Sequence, residues 1–121
     1  MTKAQNSKQY DLEDRTIAFA KRIRAFVKRL PRTIATIEDA KQLIKASGSV
    51  GANYIEANEA LSKKDFIMRI KICRKEAKES RYWLQLMNVQ NDLELQNEFK
   101  VLEQEATELT NIFGSILRKS E

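Results

Sequence analysis

The stretch KASGSVGANYIEANEA, from Lys45 to Ala60, decides the fold of this chain. It holds two of the three glycines in the sequence, Gly48 and Gly51, among serine and alanine residues. Three structures are possible for this stretch: a flexible loop, a phosphate-binding turn, or a helix that packs closely against a neighbouring element. A phosphate-binding loop would need a strand before the glycines and a Lys-Ser or Lys-Thr pair after them, and neither occurs here.

Apolar and small residues continue in helical phase through both glycines, which predicts one uninterrupted helix over 36–60. Its predicted inward face consists of Ala40, Leu43, Ile44, Ser47, Val50, Gly51, Tyr54 and Ile55. A glycine inside a helix costs about 1 kcal/mol relative to alanine. Because Gly48 and Gly51 lie on the same flank, we expect a second helix to pack closely against them.

The rest of the chain predicts three more helices, giving the ranges 11–30, 36–60, 62–89 and 92–118. Each begins at a residue type that caps helices, namely Asp11, Thr36, Ser62 and Asp92. Asp39 and Asp65 lie three residues after Thr36 and Ser62, as in a capping box. Pro31 ends the first helix.

Each of the other three helices carries one apolar stripe, with steps of three and four residues. The predicted core residues are Leu12, Thr16, Phe19, Ile23, Phe26 and Leu30, then Phe66, Ile70, Cys73, Ala77, Ser80, Leu84 and Met87, then Leu95, Phe99, Leu102, Ala106, Leu109, Phe113 and Ile116. A period near 3.5 favours helices packed at a shallow angle, and short links favour antiparallel neighbours. The sequence therefore predicts an all-α, antiparallel up-down-up-down four-helix bundle, with residues 1–121 as a single domain.

The side-chain inventory argues against an enzyme and against a metal or cofactor site. The sequence has no histidine, which removes the commonest general base and metal ligand. The single cysteine, Cys73, falls on a core stripe, which predicts a buried thiol rather than a nucleophile. No apolar run is long enough to cross a membrane. A single cysteine and a polar start without a signal-peptide core place the protein in the cytoplasm.

Basic residues are concentrated in two segments, although the net charge is only +5. Residues 15–32 contain seven basic and no acidic residues, and residues 63–81 contain eight basic and three acidic residues. The acidic residues of 92–108 are either a solvated face or partners of basic neighbours. A ladder of lysine and arginine binds phosphates without reading sequence, whereas a single charged helix face is usually only solvated. The predicted nucleic-acid-binding residues are Lys21, Arg24, Lys28, Lys71, Lys75 and Lys78.

Several apolar residues project away from the predicted core. Helix projection places Met68, Ile72, Trp83 and Leu86 on a second stripe of the third helix, here called the outer apolar stripe, with Glu79 among them. Ile17 faces outward on the first helix. Exposed apolar patches mark interaction surfaces, so these six residues are the predicted oligomer interface. The alternative is an irregular bundle in which the stripe packs against a loop.

The stretch SVGANYIEANEALSKKDFIMRIKICRKEAKESRYWLQLM, from Ser49 to Met87, resembles the bacterial four helix bundle proteins encoded by intervening sequences of 23S ribosomal RNA genes. The resemblance lies in a small-residue run before Asn53 and Glu56, a serine-led helix start with an aromatic residue, and a Tyr-Trp-Leu segment. Ala57 stands where the family often has glycine. Asn53 and Glu56 match the family pattern, and a structural role is favoured over ligand binding.

The resemblance implies a homopentameric barrel with a basic channel or surface and with no established catalytic residues. A related branch, the accessory protein of diversity-generating retroelements, binds nucleic acid and a reverse transcriptase. The resulting hypothesis is a non-enzymatic, homo-oligomeric protein, pentameric by this resemblance, that binds RNA or DNA. The alternative is an assembly scaffold or protein-partner adaptor whose charge only confers solubility.

Overall fold

The computed structural model describes residues 3–121, with side chains from Leu12 onward. Its helices are α1 (Lys3–Lys28), α2 (Ile34–Asn58), α3 (Lys63–Gln85) and α4 (Leu93–Ser120). α2 packs against α1 and α3, and α4 packs against α3 and more loosely against α1. α1 and α3 have no direct packing contact within the described range, so they occupy opposite corners. The predicted all-α four-helix bundle is confirmed.

Two of the predicted helix starts are confirmed and two are wrong. Ser62 and Asp92 cap α3 and α4, each accepting a hydrogen bond of 3.1 Å from the backbone N–H three residues later. Thr33, not Thr36, caps α2, because its Oγ1 accepts from the Thr36 N–H at 3.1 Å. α1 begins at Lys3, so the predicted start at Asp11 lies inside the helix. The side chain of Asp11 is outside the described residues.

The core follows the predicted stripes with few exceptions. All six core residues predicted for the first helix are buried, including Thr16, although Leu30 lies in the turn just after α1. Ile44, Phe66, Phe99 and Ile116 are partly buried at the edge of the core. Ile55 was predicted to face inward and is 45 % exposed, because it lies at the outer limit of the broad face assigned to α2. The stripes omitted the buried residues Ala46, Ala57 and Leu117.

Both glycines of the opening stretch lie inside α2, as predicted. A Cβ atom added to Gly51 would lie 2.7 Å from Thr16 Oγ1 and 3.0 Å from Thr16 Cβ on α1. These distances leave no room for a side chain, so Gly51 permits the close approach of the two helices. A Cβ on Gly48 would meet only the Arg24 guanidinium, at an ordinary contact distance of 3.5 Å.

The two glycines provide a matched pair of substitutions. Gly48→Ala should stabilise the protein by up to about 1 kcal/mol, because alanine favours helix and the site has room. Gly51→Ala should destabilise it by about 1–3 kcal/mol, because the added methyl group overpacks the contact with Thr16. Urea unfolding monitored by circular dichroism measures both. Equal effects of the two substitutions would refute a special packing role for Gly51.

Candidate nucleic-acid interface

A basic groove of about 550 Å³ runs between α3 and the C-terminal half of α4. Its cationic lining consists of Lys71, Arg74, Lys75, Lys78 and Arg118. Lysines one helical turn apart project to the same side of α3, and the C-terminal part of α4 supplies the opposite wall. The groove brings together three of the six predicted nucleic-acid-binding residues, Lys71, Lys75 and Lys78, and all three are exposed.

Two arginines of this groove were missed by sequence reasoning. A Cβ atom on the buried Gly114 would lie 3.5 Å from Arg118 Nη1 and 3.8 Å from Arg74 Nε. Both guanidinium groups therefore lie above the same glycine, although they come from different helices. One signal was available, since Gly114 is the one glycine in the sequence predicted for the fourth helix and Arg118 follows it by one turn. The proximity of Arg74 required the tertiary packing of α3 on α4.

The basic groove keeps a positive excess among its described residues. Its two acidic lining residues are Glu79 and Glu121. Glu79 lies 3.8 Å from Lys75, a long ion pair between an exposed lysine and a half-buried glutamate, which neutralises little charge. Nearby on α3, burial raises the pKa of Glu76, with Glu79 adding to the shift and Lys75 opposing it.

The other three predicted binding residues, Lys21, Arg24 and Lys28, form an exposed face of α1. We call them the α1 basic face. Arg24 Nη1 donates a hydrogen bond of 3.1 Å to the Ala20 carbonyl oxygen, which holds its side chain along the helix. Because α1 and α3 are not in contact, this face and the basic groove are separate surfaces of one protomer.

A second set of arginines, on α1 and in the turn that follows it, is neutralised by α4. Arg15 donates hydrogen bonds to Glu105 at 2.7 Å and to Glu108 at 2.6 Å. Arg22 and Arg29 bind Glu98 and Glu94 at 2.7 and 2.9 Å. The hydrogen bond to Glu105 is the main reason why the pKa of Arg15 is raised. Two interpretations were left open for the acidic segment of α4. For these carboxylates, the interpretation as partners of basic neighbours is confirmed.

The predicted interface residues do not form one continuous patch. Ile17, Met68 and Leu86 are 46–48 % exposed, whereas Ile72, Glu79 and Trp83 are half-buried. Trp83 packs partly against the core of its own bundle, so the helix projection placed it too far outward. Ile17 lies on α1, away from the outer apolar stripe of α3. A shared interface would require contact between different faces of neighbouring copies.

Asn53 links two helices of the bundle. Its Nδ2 donates to the Ser49 carbonyl oxygen at 2.9 Å, and its Oδ1 accepts from Arg69 Nη1 of α3 at 3.0 Å. These contacts satisfy the amide at the α2–α3 seam, which agrees with a structural role. Glu56 is exposed on the same helix.

Cys73 is fully buried, as its place on the core stripe predicted. Burial raises the pKa of its thiol from 9.0 to about 12. Since the neutral thiol is favoured in the fold, its contribution to stability is complete below pH 9.0 and is lost as pH rises through about 12.

We therefore expect the free energy of unfolding to decline with pH across this alkaline window. The decline should be smaller in Cys73→Ala, which removes the ionisable group. Urea unfolding of both proteins at several pH values between about 8 and 11 measures the difference. Burial is also the main reason why the pKa of Tyr54 is raised, and both proteins retain this cause. The smaller contribution of Cys73 to the Tyr54 pKa is lost together with the thiol. Parallel declines would contradict the expectation.

The described residues lack two further types of site. No cluster of acidic and cysteine side chains that could hold a metal ion occurs among them. None of the helices described here has an apolar stretch long enough to span a bilayer.

The sequence pattern of the 23S rRNA-intervening sequence proteins matches residues 8–115. The chain belongs to this family. The match includes α2 and α3, where the resemblance was noted, and extends over most of α1 and α4. No curated protein sequence matches the chain.

A solved structure agrees with the family assignment. It is a protein with unknown function from the S23 ribosomal protein family of Bacteroides thetaiotaomicron. Its sequence is 31 % identical, the match covers 92 % of this chain and 98 % of that chain, and the TM-score is 0.78. This 23S rRNA-intervening sequence protein therefore shares its fold with that relative over nearly the whole length of both chains.

Proposed function

We propose that this protein is a non-enzymatic, homo-oligomeric nucleic-acid-binding protein whose binding is largely indifferent to sequence. The observation that carries the proposal is the basic groove, in which five cations of α3 and α4 converge with few carboxylates to oppose them. Lysine and arginine bind nucleic acid mainly through backbone phosphates, which carry no sequence information. The family name, which refers to ribosomal RNA genes, agrees with this proposal but does not specify a ligand.

The α1 basic face supplies a second set of phosphate contacts. Lys21, Arg24 and Lys28 are exposed, while the other arginines of α1 pair with α4. The α1 basic face presents only cationic side chains. They could contact base edges only if the helix entered a groove of the nucleic acid. Phosphate therefore supplies most of the affinity, and binding weakens steeply as salt rises.

Self-association repeats these weak contacts on every copy. The exposed side chains of Met68 and Leu86 support contact between copies, because exposed apolar side chains favour association. The number of copies, five, comes from the family resemblance alone. Several linked basic surfaces bind one polymer far more tightly than a single surface does.

An electrophoretic shift assay with RNA and DNA at two salt concentrations tests the proposal. We expect complexes of both nucleic acids at low salt and a marked loss of both at high salt. If the assembled protein binds neither RNA nor DNA at low salt, the proposal is wrong. The exposed apolar residues of α3 would then favour the alternative, a scaffold that contacts another protein.

A further inference from the structure

We infer that the basic groove holds a phosphate group between the guanidinium groups of Arg74 and Arg118, directly above Gly114. This inference rests on the proposed function and deepens it by naming the atoms that make the first phosphate contact. Nη1 of Arg118 and Nε of Arg74 lie 3.5 and 3.8 Å from the position that a Gly114 Cβ would occupy. The two cations are therefore within reach of one anion placed over the glycine.

The proximity of these two arginines favours the binding of an anion. Within residues 12–121 neither guanidinium forms an ion pair, whereas Arg15, Arg22 and Arg29 on the opposite side of α4 all do. Like charges at short range repel each other, and an anion bound between them offsets that repulsion. Both arginines are exposed, so an anion can reach them from solvent. The carboxylates of Glu79 and Glu121 line the same groove without pairing with either arginine.

The chemistry of the groove favours phosphate over a carboxylate ligand. A guanidinium donates through a planar fork that matches phosphate oxygens, at about 2.7–2.9 Å for each hydrogen bond. Lys71, Lys75 and Lys78 extend the positive charge along α3, which suits a ligand with several charges. Gly114 and Leu117 add apolar surface to the lining of the groove. A nucleic-acid backbone and a free polyphosphate share this chemistry.

The experiment uses the full-length protein with tripolyphosphate and with a single-stranded RNA as separate probes. Arg74→Gln/Arg118→Gln removes the pair, and Lys41→Gln/Lys100→Gln removes the same charge from exposed positions outside the groove. We expect the arginine variant to bind tripolyphosphate at least about tenfold more weakly than the lysine variant, in calorimetry at low salt. Equal losses in the two variants would overturn the inference, because only net charge would matter.

A charge-neutral pair provides the second arm. Gly114→Ala places its methyl group at ordinary contact distance from both guanidinium groups, so tripolyphosphate binding should change less than about twofold. Gly114→Leu fills the space and separates the arginines, so binding should fall about tenfold or more. Circular dichroism checks folding, and if Gly114→Leu does not fold, the arginine pair still decides. Normal binding by a folded Gly114→Leu protein would overturn the inference.

The RNA probe separates this inference from the proposed function. RNA binding that falls together with tripolyphosphate binding in the arginine variant supports both and identifies the nucleic-acid backbone as the ligand. Pair-dependent tripolyphosphate binding without any RNA or DNA binding supports the site, with a free polyphosphate as its ligand, and refutes the proposed function. If the arginine variant binds both RNA and tripolyphosphate as the wild type does, the phosphate site is refuted and the proposed function is not.

Discussion

Met68→Glu combined with Leu86→Glu should convert the assembled protein into folded monomers. Both side chains are about half exposed on the outer face of α3, so glutamate is hydrated in the free protomer and leaves the core intact. In an assembly that buries this face, two glutamates per copy would be desolvated, which costs free energy that the wild-type contact does not cost. Light scattering should shift from about 70 kDa, the mass of five 14.0 kDa chains, to that of one chain.

Leu61→Glu combined with Leu93→Glu is the matched control. Both leucines are more exposed than Met68 and Leu86, and they lie at the helix ends rather than on the outer apolar stripe. This control makes the same change in charge and removes more exposed apolar area, and it should leave the assembly intact. A wild-type protein that remains a 14.0 kDa monomer at micromolar concentration would refute self-association. RNA binding should fall sharply in the dissociated variant, since avidity is lost while every basic residue remains.

Replacing Lys71, Lys75 and Lys78 with glutamine should cause the largest loss of nucleic-acid binding. Each phosphate contact on a duplex contributes about −0.9 to the slope of log affinity against log salt. Loss of three contacts should therefore reduce the magnitude of the slope by about 2–3 and weaken binding on the order of a hundredfold at 0.1 M salt. Fluorescence anisotropy with a labelled duplex over a salt series measures both quantities.

Two variants of the same charge make this result specific. Replacing Lys21, Arg24 and Lys28 with glutamine tests the α1 basic face, and it should lower the slope less because this face lacks the converging arginines of the groove. Replacing Lys41, Lys100 and Lys119, which are exposed outside both surfaces, should leave the slope close to that of the wild type. Equal slopes in all three variants would mean that the groove has no special part in binding.

The helices and most of the core could be predicted because each depends on local sequence. Apolar spacing identifies the buried face of a helix whatever its partner is, which is why Phe19, Ile70 and Phe113 were assigned correctly. Helix ends are harder to predict, because Thr33 and Thr36 are the same residue type in one short segment. In the structure the N-cap is Thr33, whose side chain accepts a hydrogen bond from the Thr36 N–H.

The candidate site could be predicted only in part, since a groove between two helices is a tertiary feature. The lysines of α3 form a pattern within one helix and were found. Arg118 lies far along the chain from Arg74, and nothing in one sequence states that α4 brings it over Gly114. For the outer apolar stripe, the helix projection overstated the exposure of Trp83. A projection of α3 alone could not show that this side chain also reaches the core.

The bundle has three closely packed seams and one, between α1 and α4, that is held largely by ion pairs. Ion pairs near the surface are weak and are screened by salt, whereas apolar contacts are not weakened in this way. High ionic strength should therefore lower the free energy of local opening along this seam more than along the other three, although the α3–α4 seam also contains a longer ion pair, Arg81–Glu103. We expect amide hydrogen exchange in α1 to accelerate with salt relative to exchange in α3. α1 would then be the helix that separates most readily from the rest of the bundle.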